Sequence, residues 1–266
     1  MNETKNFISS TKFNPSKKMG QNFLIDESFS KSLIDNIDFS DVDYIIEIGP
    51  GLGAITKFLS EKNISMTAIE LDKRLQEGIK KNFPQINVIN DDCLNIDYDS
   101  VFAKYKNPII ISNLPYSIST LMINKFLRIS RINTMYCMLQ KEVVERMKGK
   151  ISTKQYNNFS ISCQFYSNID ILKKVDRKLF FPIPEVDSLF IKIKKKEMIY
   201  DENFVKFLKL SFLQRRKTLI NNLKNKYDTK LISNWLGQNK FSLNCRAEEI
   251  NPNLFFNFYN SLINTR

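Results

Sequence analysis

Glu47-Ile48-Gly49-Pro50-Gly51-Leu52-Gly53 places three of the chain's seven glycines within five residues. Glycines at alternate positions allow a tight turn and let a ligand approach the backbone with no Cβ in the way. Two acidic positions follow, each after a short apolar run. Seventeen residues past Gly53 comes Glu70-Leu71-Asp72, where the Glu70 carboxylate can accept both hydroxyls of a ribose. After the next run comes Asp91-Asp92-Cys93, where Asp92 can accept from an adenine amino group. Any one of these acids alone reads as a solvated loop residue; together they describe a site for a nucleoside-bearing ligand. The glycines follow G-x-G-x-G and not G-x-G-x-x-G, with an acid two residues before them. That form suits S-adenosylmethionine, which has no pyrophosphate to cradle, better than NAD(P).

A third constellation settles the choice. Asn113-Leu114-Pro115-Tyr116 resembles the N/D-P-P-Y/F motif of amino-methyltransferases. An adenine amine is a poor nucleophile because its lone pair is delocalised into the ring. The Asn113 side-chain oxygen and the Leu114 carbonyl can accept its hydrogens, draw the nitrogen toward tetrahedral geometry and stabilise the positive charge that develops. Alignment with the methyl donor is worth on the order of 7–11 kcal/mol. The base must leave its stack for this chemistry. Tyr116 offers one flat face, and Phe181, which directly precedes the Pro182-Ile183-Pro184 loop, offers the other, with Phe180 assigned to the core. The chain has no histidine, which excludes a Ser-His-Asp triad, a histidine base and histidine metal ligands; this chemistry needs none of them. Cys93, Cys137, Cys163 and Cys245 form no C-x-x-C pair and read as reduced, isolated thiols, so no metal site is expected.

Strand and helix patterns alternate around these motifs. Strands are expected at Tyr44 to Ile48, Ser65 to Ile69, Asn87 to Ile89, Pro108 to Ser112, Thr134 to Leu139, Ile169 to Lys173 and Ser188 to Ile193. Helices are expected at Ser28 to Ile37, Ala54 to Glu61, Lys73 to Asn82, Ser119 to Ile129 and Asn157 to Tyr166. The alternation predicts an α/β fold with a mostly parallel, doubly wound sheet and ligand sites beyond the strands' carboxyl ends. Past the charge run ending at Glu197 only helical patterns remain, at Glu202 to Leu213, Thr218 to Asn225, Thr229 to Leu236 and Pro252 to Ile263. The predicted division is therefore 1–196, a Rossmann-like domain including a basic N-terminal arm, and 197–266, a small all-helical domain.

Across all five matching stretches the chain resembles the ribosomal RNA adenine N6,N6-dimethyltransferase family. They are residues 17–24 (KKMGQNFL), 47–53 (EIGPGLG), 113–119 (NLPYSIS), 181–188 (FPIPEVDS) and 215–219 (RRKTL). The resemblance implies S-adenosylmethionine contacts from Asn22, Leu24, Gly49, Glu70, Asp92 and Asn113, to which the glycine turn adds Gly51. The chemistry read from the residues themselves gives a catalytic set of Asn113, Leu114, Pro115, Tyr116 and Phe181. The Gly-Pro-Gly-Leu-Gly and Phe-Pro-x-Pro-x-Val-Asp-Ser forms look like the small-subunit branch, which modifies two adjacent adenines near the 3′ end of 16S rRNA. A large-subunit (23S) enzyme conferring macrolide resistance and a ribosome assembly factor with incidental methylation are the alternatives. A DNA adenine methyltransferase is disfavoured for want of a sequence-reading insert. Glu185 and Lys192 depart from the family's commonest pattern, which has a basic residue and an arginine there.

Forty Lys and Arg against twenty-eight Asp and Glu give a net charge of +12, which favours a polyanionic partner. Arg215, Arg216 and Lys217 are the candidate RNA contacts, with Lys12, Lys17 and Lys18 of the N-terminal arm as further ones. The expected partner is small-subunit rRNA in a pre-assembled 30S particle, the expected state a monomer. No apolar run reaches about 18 residues and the N-terminus has no secretory signal, so a cytoplasmic, membrane-free protein is expected.

Overall fold

The computed structural model describes residues 14–16 and 19–263. In chain order its elements are β1 (Phe23–Leu24), α1 (Glu27–Ile34), β2 (Tyr44–Ile48), α2 (Thr56–Ser60), β3 (Met66–Ile69), α3 (Lys73–Asn82), β4 (Asn87–Ile89), α4 (Tyr98–Val101), β5 (Pro108–Asn113), α5 (Ser119–Arg128) and β6 (Thr134–Gln140). There follow α6 (Lys141–Met147), α7 (Asn158–Tyr166), β7 (Ser167–Val175), β8 (Phe180–Phe181), β9 (Ser188–Lys195), α8 (Glu202–Ser211), α9 (Leu219–Leu223), α10 (Thr229–Gln238) and α11 (Pro252–Ile263).

Seven strands form one sheet in the order β4-β3-β2-β5-β6-β9-β7. The pairs from β4 through β6 are parallel, and β9 runs antiparallel to β6 in a register that sets Tyr136 opposite Lys192. The central strands read as near-continuous apolar runs because helices cover both faces of a parallel sheet. Ile45, Ile46, Ile109, Ile110 and Ile111 are all buried accordingly. Carboxylate caps start the helices around this sheet: Asp26 accepts from the Phe29 N–H at α1, and Asp72 from the Arg74 N–H at α3. The fold class is the expected one, an α/β architecture with a mostly parallel, doubly wound sheet accompanied by a helical C-terminal region.

Two compact units emerge: Met1–Lys141 with Ile169–Lys195, and Glu142–Asn168 with Lys196–Arg266. The expected boundary near residue 197 marks one of the crossings. Residues 142–168, which the sequence reading placed with the sheet, belong with the helices. Within that second unit, Phe204, Phe207, Phe255 and Phe258 are buried, and Phe165 packs edge-on to Phe204 with ring centroids 5.1 Å apart. Such an aromatic core explains why 142–168 is recruited: α7 carries Phe165 and Tyr166, whose partners lie on the later helices.

Candidate active site

From β2 the chain moves to β3 and β4 on one side, then crosses back to β5 and β6 on the other. The reversal opens a crevice beyond the carboxyl ends of β2 and β5, which is where ligands bind in doubly wound folds. A cavity of about 360 Å³ occupies that crevice. Asn22, Leu24, Gly49, Gly51, Glu70, Asp92, Asn113, Leu114, Pro115 and Tyr116 all line it, so ten of the eleven predicted cofactor and catalytic residues meet in one place.

The glycine turn follows β2 directly. Gly49, Gly51 and Gly53 have φ of +66°, +61° and +84°, the left-handed region that side chains strain to enter. A Cβ at Gly51 would also stand 3.1 Å from the Phe23 ring, and one at Gly53 2.9 Å from Phe83. Glu70, at the end of β3, ties the turn in place: its Oε2 accepts from the Gly51 N–H (3.2 Å) and its Oε1 from the Asp72 N–H (2.9 Å). Burial pushes the Glu70 carboxyl above its ordinary value, and these backbone bonds pull it partly back. Asp72 is held down to about 2, chiefly by the Arg74 guanidinium, which donates to it at 3.0 and 2.6 Å. Asp92 Oδ1 accepts from the Leu94 N–H at 2.8 Å, which fixes the carboxylate's orientation at the cavity edge.

Glu47, which served in the sequence only as a marker of glycine-loop type, proves to be a cavity-lining carboxyl on β2. It is 2% exposed, and its polar neighbour is the Thr56 hydroxyl, which eases the cost of its charge although neither Glu47 Oε2 nor Thr56 Oγ1 reaches full hydrogen-bond geometry. Burial pushes its carboxyl up to about 8. A buried, under-satisfied acid facing a cavity is a place where a cationic ligand group is wanted.

On the other wall, Asn113 Nδ2 donates to the Asn22 carbonyl at 2.9 Å. That bond uses one of the amide's two N–H groups and fixes its orientation at the cavity wall, while its oxygen accepts from no described group. Leu114 buries its side chain, and Tyr116 shares a 2.8 Å hydrogen bond with Ser188. Residues 19–24 close the cavity as a strap. Its Gln21 Nε2 donates to Asp72 Oδ2 at 3.0 Å, and β1 pairs antiparallel with β8, setting Phe23 opposite Phe181 and Leu24 opposite Phe180. Phe180 is buried; Phe181 is 36% exposed and lies beside the cavity-lining Phe23, outside the cavity wall itself. Sequence reasoning saw the strap only as a family-like stretch, because two-residue strands carry no periodicity.

The predicted RNA contacts separate from one another. Arg215, in the second unit, is committed: Nε donates to Glu248 Oε2 (2.7 Å), Nη1 to the Lys154 carbonyl (2.5 Å) and Nη2 to the Thr153 carbonyl (2.6 Å). These three bonds make it a brace across three segments. Arg216 and Lys217 are exposed. Lys192 lies over the Tyr136 ring, 5.6 Å from its centroid, and Glu185 is exposed with its carbonyl accepting from Arg177 Nη1. Lys12, Lys17 and Lys18 lie outside the described residues. The four cysteines are buried free thiols, and burial raises Cys93 and Cys245 to about 12, well out of the range of reactive thiolates.

The profile of the family described as ribosomal RNA adenine dimethylase matches residues 12–264. The ribosomal RNA small subunit methyltransferase A of Malacoplasma penetrans is 40% identical over 260 residues, covering 95% of each chain. That of Mycoplasmoides gallisepticum is 38% identical over 264 residues, covering 98% of each. Among solved structures, a dimethyladenosine transferase from Plasmodium falciparum is similar with a TM-score of 0.72 at 23% identity, covering 89% of this chain and 95% of that one, a likeness of fold.

Proposed function

Since the chain belongs to the ribosomal RNA adenine dimethylase family, we propose that it dimethylates the N6 amine of adenines in small-subunit (16S) rRNA, using S-adenosylmethionine. The small-subunit assignment follows the name shared by the relatives that match nearly end to end. The site fits the cofactor: a backbone cradle of left-handed glycines for close approach, Glu70 and Asp92 for a nucleoside, and the buried, under-satisfied Glu47 for a cationic amine. Four acids, Glu47, Glu70, Asp91 and Asp92, line this crevice in a chain of net charge +12. A cationic cofactor and a polyanionic substrate are thereby drawn to different surfaces.

When bound, S-adenosylmethionine supplies an electrophilic methyl on a sulfonium. Everything else is done by the chain. Asn113, held by the Asn22 carbonyl, presents its oxygen, and Leu114 its peptide carbonyl, to the two amine hydrogens. These acceptors localise the nitrogen lone pair and favour the charge that builds there. Tyr116 stacks on one face of the flipped base and Phe181 on the other. Arg216 and Lys217 contact phosphates from the helical region, residues 197–266, which serves ribosome binding. The working form is a cytoplasmic monomer acting on a pre-assembled 30S particle.

The observation that carries this reading is the Asn113 amide, pinned by its nitrogen so that its oxygen is the group left for an amine. It is tested by incubating the chain with labelled S-adenosylmethionine and under-methylated small and large ribosomal subunits, then mapping modified adenines by mass spectrometry. Dimethyladenine in small-subunit rRNA, lowered about 10²–10³-fold by Asn113→Ala, is expected. Label confined to the large subunit, or an Asn113→Ala variant of undiminished rate, overturns the reading.

A further inference from the structure

We infer that Ser188 is a positioning residue: its hydroxyl fixes the ring plane of Tyr116 and so sets the platform on which the target base stacks. The inference rests on the proposed stacking role of Tyr116 and deepens it. Ser188 opens β9, a strand that continues as Leu189, Phe190, Ile191 and Ile193 in the core. A hydroxyl at 0% exposure in such company needs a partner. Ser188 has Tyr116 Oη, at 2.8 Å.

The geometry of a phenol makes this bond directive. Conjugation of the oxygen with the ring keeps its O–H and its accepting lone pair near the ring plane, so a partner fixed in space selects one plane. At the other end the Tyr116 backbone is equally held. Its carbonyl accepts from Ser119 Oγ at 3.1 Å, and the turn closes through the Ile118 N–H to the Pro115 carbonyl, also at 3.1 Å. With both ends pinned, neither rotation about the Cβ–ring bond nor a swing of the ring costs nothing.

Ser188 is itself anchored through Asp187. The Asp187 carboxylate accepts from the Arg177 N–H at 3.1 Å, and its carbonyl accepts from the Lys141 N–H at 3.0 Å. Arg177 also spans the loop to the Glu185 carbonyl at 3.0 Å. That loop begins at Phe181, the other proposed stacking ring, and ends at the serine that orients Tyr116. One braced segment, 182–187, therefore links the two faces between which a flat base would be held, and the spacing of Phe181 and Ser188 along it has a reason beyond turn formation.

The test compares Ser188→Ala, Tyr116→Phe, their double variant and Tyr116→Ala in the full-length protein. Read out are kcat on under-methylated small subunits, S-adenosylhomocysteine affinity by calorimetry, melting temperature, and quenching of 2-aminopurine placed at the target adenine in an rRNA fragment. Ser188→Ala and Tyr116→Phe should each lower kcat about five- to tenfold and weaken the quench. The double variant should be no worse than either single one, because both remove the same bond. Cofactor affinity should stay within about twofold. Tyr116→Phe removes the bond from the half-buried side, so the inference stays exposed to test even if Ser188→Ala folds poorly. If Tyr116→Ala is inactive while Ser188→Ala and Tyr116→Phe keep full kcat and quench, the positioning role is wrong and the stacking role stands. If Tyr116→Ala keeps full kcat, the stacking reading falls and the inference with it. Losses that multiply in the double variant, or that track cofactor affinity or melting temperature, also overturn it by making Ser188 merely structural.

Discussion

Glu47 sits among isoleucines in a strand buried along its whole length, with the Thr56 hydroxyl beside it but its Oε2 short of full hydrogen-bond geometry. Its carboxyl, raised to about 8 from an ordinary 4.5, holds a proton in the folded chain long after an unfolded chain has released its own. Below about pH 4.5 both states are protonated and the residue has no effect on stability. Between 4.5 and about 8 only the unfolded state ionises, so stability falls as pH rises; above 8 the full cost is in place. Glu47→Gln should therefore melt with wild type near pH 4 and several degrees above it at pH 8 to 9, in cofactor-free buffer. The same variant should bind S-adenosylhomocysteine about tenfold more weakly or worse, because the ligand's ammonium loses its counter-charge. Melting curves that stay parallel across this range would remove Glu47 as a stored destabilisation kept for the ligand. This trade between stability and binding was visible in the sequence only as an acid two residues before a glycine turn; its burial depends on both neighbouring strands, β3 and β5.

At the scale of elements, local pattern and tertiary pairing divide cleanly. The strands β2 and β4 and the helices α3 and α11 begin and end where apolar periodicity predicts, because each is long enough or flanked clearly enough to show its period. The pair β1·β8 was not legible: four residues, joined across a sequence distance of more than 150, carry no pattern of their own. The antiparallel course of β9 beside β6 escaped the reading for a related reason, since a strand's direction is fixed by its partner. Yet that short pair carries much of the site, for it seats the strap and brings Phe181 beside Phe23. Gly51 tests the coupling. An alanine there would have to hold φ near +61° and place its Cβ 3.1 Å from the Phe23 ring, pressing on the β1 strand from below. The backbone strain alone is worth about 1–2 kcal/mol. Gly51→Ala should bind S-adenosylhomocysteine at least tenfold more weakly by calorimetry, whereas Gly78→Ala, whose Cβ would meet nothing within 4 Å, should bind as wild type. Equal affinities in the two variants would separate the turn from the strap.

Across the whole molecule, charge and packing make different uses of neighbouring basic residues. The run Arg215-Arg216-Lys217 reads in sequence as one phosphate-binding cluster, because sequence shows charge and not what each side chain already touches. Arg215 instead joins Thr153, Lys154 and Glu248, drawing together segments on either side of the strand insertion that interrupts the second unit. The same fact explains why residues 142–168 were misplaced: their partners are aromatic and polar groups beyond residue 196, which no local pattern reveals. The two kinds of basic residue should respond oppositely to salt. Counterion release makes log K fall with log salt concentration by about 0.7–0.9 per phosphate contacted. Replacing Arg216 and Lys217 by alanine should weaken binding to small-subunit rRNA at 50 mM salt and flatten that slope by about 1.4–1.8, with the melting temperature unchanged. Arg215→Ala should leave the slope as in wild type and lower the melting temperature by a few degrees, since it frees a half-buried carboxylate and two carbonyls at once. A slope lowered equally by Arg215→Ala would return that residue to the RNA face; a slope unmoved by Arg216 and Lys217 would shift the polyanion contact to other parts of a surface that still carries most of the +12.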